Sequence, residues 1–147
     1  MNDNTALLRQ YYTRKPHMVT PEAVRVLKDQ PPATEEEEQL LVAAELDRLM
    51  PGEWCHVPNG GSRHPAEAAK LKRMGVTPGI PDILIFRRPP AHPDASGCAI
   101  ELKRTSGGRL SPDQRRVLVM LDHNGWRTYR ASGYEDAVRV LREEGYL

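Results

Sequence analysis

The chain lacks a dominant charge, a long apolar run and any cysteine pair at metal-binding spacing. Lysine and arginine total 21 against 20 acids, a formal charge of +1 over 147 residues. Bulk electrostatics therefore does not announce a polyanionic partner. No apolar run approaches the ~20 residues needed to span a bilayer, and the first residues carry no signal-peptide core. A cytoplasmic protein without membrane contact is expected. Cys55 and Cys98 are the only cysteines and neither belongs to a CxxC. Each lies in apolar sequence, which points to buried free thiols in a reducing compartment. Internal repeats are absent, and the length suits one compact domain with some terminal extension.

Local charge says more than the total. Between residues 63 and 73, Arg63, Lys70, Lys72 and Arg73 face the single acid Glu67, and between residues 103 and 116, Lys103, Arg104, Arg109, Arg115 and Arg116 face only Asp113. Basic clusters of this kind suit a phosphate backbone. Residues 1–33 read as an arm with a short helix over Pro21–Lys28 and a linker at Gln30-Pro31-Pro32-Ala33. Residues 34–147 read as the domain. Thr34 caps a helix that opens with Glu35-Glu36-Glu37-Glu38 and stops at Pro51-Gly52. A short strand at Trp54–Pro58, a turn at Asn59-Gly60-Gly61 and a helix over Ala66–Met74 follow. Ile83–Phe86 and Cys98–Lys103 read as strands, Ser111-Pro112 opens a helix to His123, Trp126–Ala131 is a strand, and Tyr134–Glu144 is a terminal amphipathic helix. The order α-β-α-β-β-α-β-α predicts an α/β sandwich.

The chemistry gathers on the two middle strands. Pro81 fixes the entry to the first of them, so Asp82 stands at a defined strand start. In the second strand, residues two apart share a face, which puts Glu101 and Lys103 on one side and Ile100 and Leu102 on the other. If the strands pair, Asp82, Glu101 and Lys103 converge. Two carboxylates can hold a divalent metal, and a neighbouring ammonium can orient or activate a water. Oxygen-only ligands favour Mg²⁺ or Mn²⁺ over Zn²⁺. This is equipment for cleaving a phosphodiester.

Taken together, six stretches resemble the VRR-NUC family of the PD-(D/E)XK nuclease superfamily: Thr34–Gln39, His56–Arg63, Leu71–Val76, Gly79-Ile80-Pro81-Asp82, Ile100-Glu101-Leu102-Lys103 and Gly108–Gln114. They occur in the family's order and spacing, and the single-domain form resembles the stand-alone members of phages and bacteria. The resemblance implies a restriction-endonuclease-like fold, a mixed central β-sheet flanked by helices, with the site on splayed strands. It implies metal-binding roles for Asp82 and Glu101, a further ligand in the Leu102 carbonyl, and Lys103 as third member of the motif. An acid of the first helix commonly completes the shell; Glu38 is the choice, with Glu35 left open. Gln114 matches a glutamine that holds the site or touches substrate. Asn59, Gly60, Gly61, Arg63 and Lys72 match positions near the DNA backbone, where glycine lets amides approach phosphate and arginine binds it in bidentate fashion. The implied activity is metal-dependent endonucleolysis of DNA, selective for branched, flapped or junction structures. A homodimer would suit a two-fold junction, although no residue marks its interface.

Three rival readings compete with this one. A zinc module on Cys55, His56 and His64 fits no common finger spacing. An HNH-type site at His123-Asn124 competes with a simpler account, a histidine and a cap at a helix end. A non-catalytic DNA-binding or assembly protein on a nuclease fold is the serious alternative, opposed by the presence of Asp82, Glu101, Lys103 and Gln114 together.

Overall fold

The computed structural model describes residues 34–59 and 64–147. Its helices are α1 (Glu35–Leu49), α2 (Pro65–Arg73), α3 (Pro112–His123) and α4 (Gly133–Glu143), and its strands β1 (Trp54–His56), β2 (Ile83–Ile85), β3 (Cys98–Lys103) and β4 (Arg127–Ser132). The expected arm over residues 1–33 lies outside the described residues. Among those residues, no helix is long and apolar enough to cross a membrane.

The strands form one sheet in the order β1-β2-β3-β4. The first two pairings are antiparallel, and β3 runs parallel to β4 through the α3 crossover. Register puts Ile83 opposite Ile100 and Ile85 opposite Cys98. Alternation therefore gathers Ile83, Ile85, Cys98, Ile100 and Leu102 on one face. There they join Leu41, Val42 and Leu46 of α1 and Ala137, Val138 and Leu141 of α4 in a single buried cluster. The opposite face of β3 carries Ala99, Glu101 and Lys103. It is covered by α3, whose Val117 and Leu118 are buried. With helices on both faces, β3 is buried from Cys98 to Leu102, as a central strand of a layered α/β domain must be.

Local chemistry sets the helix starts. Thr34 Oγ1 accepts from the Glu37 amide at 3.1 Å while the Glu37 carboxylate accepts from the Thr34 amide at 3.2 Å, a reciprocal capping box. Ser111 and Gln114 repeat the arrangement at α3, with Pro112 in the first turn. The helix α2 differs from the others, since none of its residues is buried. It stands clear of the sheet.

Candidate functional site

Where β2 separates from β3, the ladder runs out of backbone partners. By the register that pairs Ile83 with Ile100, Asp82 falls beside Glu101 just beyond the last β2 pair. The Leu102 amide, which would otherwise be orphaned, donates to Asp82 Oδ2 at 2.8 Å. The Asp82 side chain thus completes the sheet edge, and Pro81 before it is buried. Behind Asp82, its carbonyl accepts from the Val57 amide at 2.8 Å and lies 2.9 Å from His56 Nδ1. That nitrogen must carry the proton, because a carbonyl can only accept.

Glu101 projects from the α3 side of β3 and is 1% exposed. Lys103 Nζ and Gln114 Nε2 each donate to its Oε1 at 2.5 Å. Gln114 reaches it because of the cap: its Oε1 accepts from the Ser111 amide at 2.8 Å, which leaves the Nε2 end free to point at the sheet. A helix-start motif thereby delivers a hydrogen-bond donor to a strand carboxylate. The second oxygen, Glu101 Oε2, is buried and has no hydrogen-bond partner.

Both carboxyls titrate above the usual carboxylate range. For Asp82 burial is the main cause, opposed by the Leu102 amide and then by the Lys103 and His56 charges. For Glu101 burial again leads, opposed by Lys103 and reinforced by the Asp82 charge. Two acids share a partly dry space with one ammonium, so negative charge exceeds positive.

These residues fit a hard divalent cation. A buried carboxylate oxygen without a donor is costly, and the Glu101 Oε2 atom is such an oxygen beside a second carboxyl. An extended residue directs its N–H and C=O to the same neighbouring strand, so Leu102 also directs its carbonyl to the Asp82 side. Among the described residues no group of three His, Cys, Asp or Glu is placed to hold a metal. Two carboxylates completed by a carbonyl, water and substrate oxygens is a shell suited to Mg²⁺.

Glu38 stands in a different set of contacts from Asp82 and Glu101. It is buried, but its Oε1 accepts from the Thr105 hydroxyl at 2.6 Å and its Oε2 from the Tyr134 amide at 2.5 Å. Oε1 thus ties α1 to the loop after β3, and Oε2 ties it to the start of α4. The Gly133 backbone packs so closely that an added Cβ would lie 2.9 Å from Glu38 Oε1. The reason is topological: α1 packs on the Ile100 and Leu102 face, whereas Glu101 points to the other. Glu35 is exposed in the first turn.

The remaining positions are less uniform. Asn59 donates from Nδ2 to the Ile80 carbonyl, pinning the segment that enters Pro81-Asp82. Lys72 is exposed on α2, and both residues line a cleft that Gln114 also borders. Gly60, Gly61 and Arg63 lie outside the described residues. Cys55, His56 and His64 form no metal-holding group, and Asn124 ends α3 by donating from Nδ2 to the Met120 carbonyl at 2.7 Å. His56 and Thr105 were missed as contacts of Asp82 and Glu38. His56 sits in a stretch already singled out, but nothing local links Thr105 to a residue 67 positions earlier.

Comparison with known proteins agrees with this architecture. A family model described as VRR-NUC domain matches residues 33–134. A solved structure described as a VRR_NUC domain protein superposes with a TM-score of 0.65 at 28% identity, covering 80% of this chain and 93% of that one. No curated protein matches.

Proposed function

We propose that this chain, which belongs to the VRR-NUC domain family, is a Mg²⁺- or Mn²⁺-dependent DNA endonuclease with a preference for branched, flapped or junction DNA. The family is nuclease-like, and DNA is the substrate that such a domain implies. The observation that supports the metal-dependent reading is the buried, donor-free Glu101 Oε2 beside a second carboxyl whose charge Glu101 feels; the preference for branched DNA rests on the family resemblance alone.

Asp82, Glu101 and the Leu102 carbonyl would hold the cation. When bound, the metal supplies Lewis-acid polarisation of the scissile phosphate and acidification of a water. The protein's own groups do the rest. Gln114 and the capping box hold Glu101 by its Oε1, which leaves the buried Oε2 for the cation. Lys103, held 2.5 Å from Glu101 Oε1, is placed to orient a nucleophilic water or to stabilise charge developing on phosphate. Asp82 is kept in place by the Leu102 amide and by the Val57 bond to its own carbonyl.

Wild type and Asp82→Asn should be challenged with linear, nicked, flap and four-way-junction DNA, each with Mg²⁺ or Mn²⁺. Cleavage by wild type alone, strongest on a branched substrate, is the expected result. Equal metal-dependent cleavage by highly purified Asp82→Asn would sink the assignment. Equal rates on linear and branched DNA would remove the structural preference while leaving the nuclease.

A further inference from the structure

We propose that the cleft between α2 and the first turn of α3 receives one unstacked nucleobase of the bound DNA, next to the scissile phosphate. This rests on the nuclease reading of the neighbouring carboxylates. The cleft has a volume of about 370 Å³, with walls that include Ala68, Leu71, Val76 and Pro78 and with Lys72 and Gln114 at its border. Its size falls within the range of small-ligand sites, and its character is that of an apolar slot with a few polar edges.

Three observations select a base over other occupants. First, Gln114 borders the cleft and also donates to Glu101 Oε1, so the slot adjoins the candidate metal site through one side chain. A strand whose phosphate sits at Glu101 presents its neighbouring base there. Second, cations outnumber acids around it: Lys70, Lys72 and Arg73 in the last turn of α2 and Arg115 and Arg116 on α3 are exposed, against Glu67 and the cleft-lining Asp113, which pairs with Arg116 at 3.8 Å. An apolar slot in basic surroundings suits a ligand that is flat and apolar at one end and anionic at the other. Third, among the described residues nothing covers this apolar surface. No residue of α2 is buried, and Val76 is 46% exposed.

One wall of the slot is close-packed. Gly79 has φ +85°, and a Cβ there would lie 2.4 Å from the Asp113 carbonyl carbon. The 76–79 segment therefore rests directly on the first turn of α3, and only glycine permits that approach. Enzymes that unstack a base receive it between apolar or aromatic surfaces of this kind.

The test uses the full chain with Ca²⁺ in place of Mg²⁺, and DNA carrying 2-aminopurine at successive positions around the mapped cut. Fluorescence should rise several-fold at one position within a nucleotide or two of the cut, and the rise should disappear in Ala68→Leu, which fills the slot. An abasic residue at that position should weaken wild-type binding about tenfold and leave Ala68→Leu binding unchanged. Circular dichroism checks that Ala68→Leu, on an exposed helix face, is folded. If no position brightens, or if Ala68→Leu responds like wild type, the slot is not a base site although cleavage persists. A wild type that neither binds nor cuts DNA overturns the nuclease reading as well.

Discussion

Asp82→Asn should make the metal-free protein more stable at neutral pH while abolishing its response to metal. The Asp82 and Glu101 carboxyls are both raised, chiefly by burial, so the folded state binds protons more tightly than the unfolded chain. The destabilisation from ionising them is absent below the unfolded carboxyl pKa of about 4. It grows as pH rises from there and is fully present once pH has passed the folded values. Two like charges roughly 4 Å apart repel by about 4 kcal/mol at an effective dielectric of about 20. Asparagine removes that repulsion and part of the burial cost. It also gives up attraction to Lys103 and converts the 2.8 Å bond from the Leu102 amide from charge-assisted to neutral, a loss of about 1 kcal/mol. The remainder is a gain of about 1–2 kcal/mol, or roughly 4–8 °C in Tm for a domain of this size. Asp82→Ala should not share it, because the Leu102 amide then lacks its acceptor at a cost of about 1–3 kcal/mol. Thermal melts in EDTA at pH 7.5 should rank Asn above wild type, with Ala below Asn, and the gap between Asn and wild type should narrow towards pH 4. Mg²⁺ at about ten times its Kd should raise wild-type stability by about 1.4 kcal/mol and leave Asn unmoved. An Asn variant destabilised equally at both pH values, or stabilised by Mg²⁺ as wild type is, would refute the shared charged site.

Three further outcomes follow from the same contacts. Gln114→Glu keeps the Ser-x-x-Glu capping pattern but replaces the donor to Glu101 Oε1 with a carboxylate; Tm at pH 7.5 should fall, recovering towards pH 4, and the acidic limb of the pH–rate profile should move to higher pH. Glu38→Gln should lower stability by about 1–3 kcal/mol, because charge-assisted bonds to Thr105 and Tyr134 are weakened; Mg²⁺ affinity measured by calorimetry should stay within threefold of wild type, whereas a tenfold loss would return Glu38 to the metal shell. Lys72→Ala should weaken DNA binding for every sequence and reduce the slope of log K against log salt by about 0.9; an unchanged slope would remove Lys72 from the phosphate path.

Much of the fold could be read from the chain because the signals were local. Thr34 with Glu37 and Ser111 with Gln114 mark two helix starts by side chains three residues from the amides they serve. The alternation in β3 correctly separates Glu101 and Lys103 from Ile100 and Leu102. What could not be read is the choice of layer. The run Glu35–Glu38 offers four carboxylates within one turn, and each is chemically able to bind a cation. Which face of the sheet α1 covers is decided by Leu41, Val42 and Leu46 meeting Ile100 and Leu102, contacts distant in sequence. That decision directs Glu38 to the Tyr134 amide rather than to Glu101. The cleft beside α2 was illegible for the same reason, since its two walls are about forty residues apart and only tertiary packing opposes them.

The placement of the two acids has one structural origin. A strand that leaves its neighbour exposes a backbone amide and a carbonyl, and the amide must find an acceptor. At Leu102 the acceptor is the Asp82 carboxylate, so the first acid is positioned by a requirement of the sheet before any substrate is involved. The carbonyl of the same residue faces the same opening, and the next side chain back along β3 is Glu101, turned to the layer where Gln114 arrives from a helix cap. Three oxygen donors are thus directed to one opening by a ladder ending, a strand pleat and a capping box, each satisfied on its own terms. What the surrounding protein does not satisfy is the charge: one ammonium, Lys103, stands beside two carboxyls, His56 acts on Asp82 only, and Glu101 Oε2 has no donor. The unmet requirement at this site is electrostatic, and a divalent cation held by these oxygens would meet it.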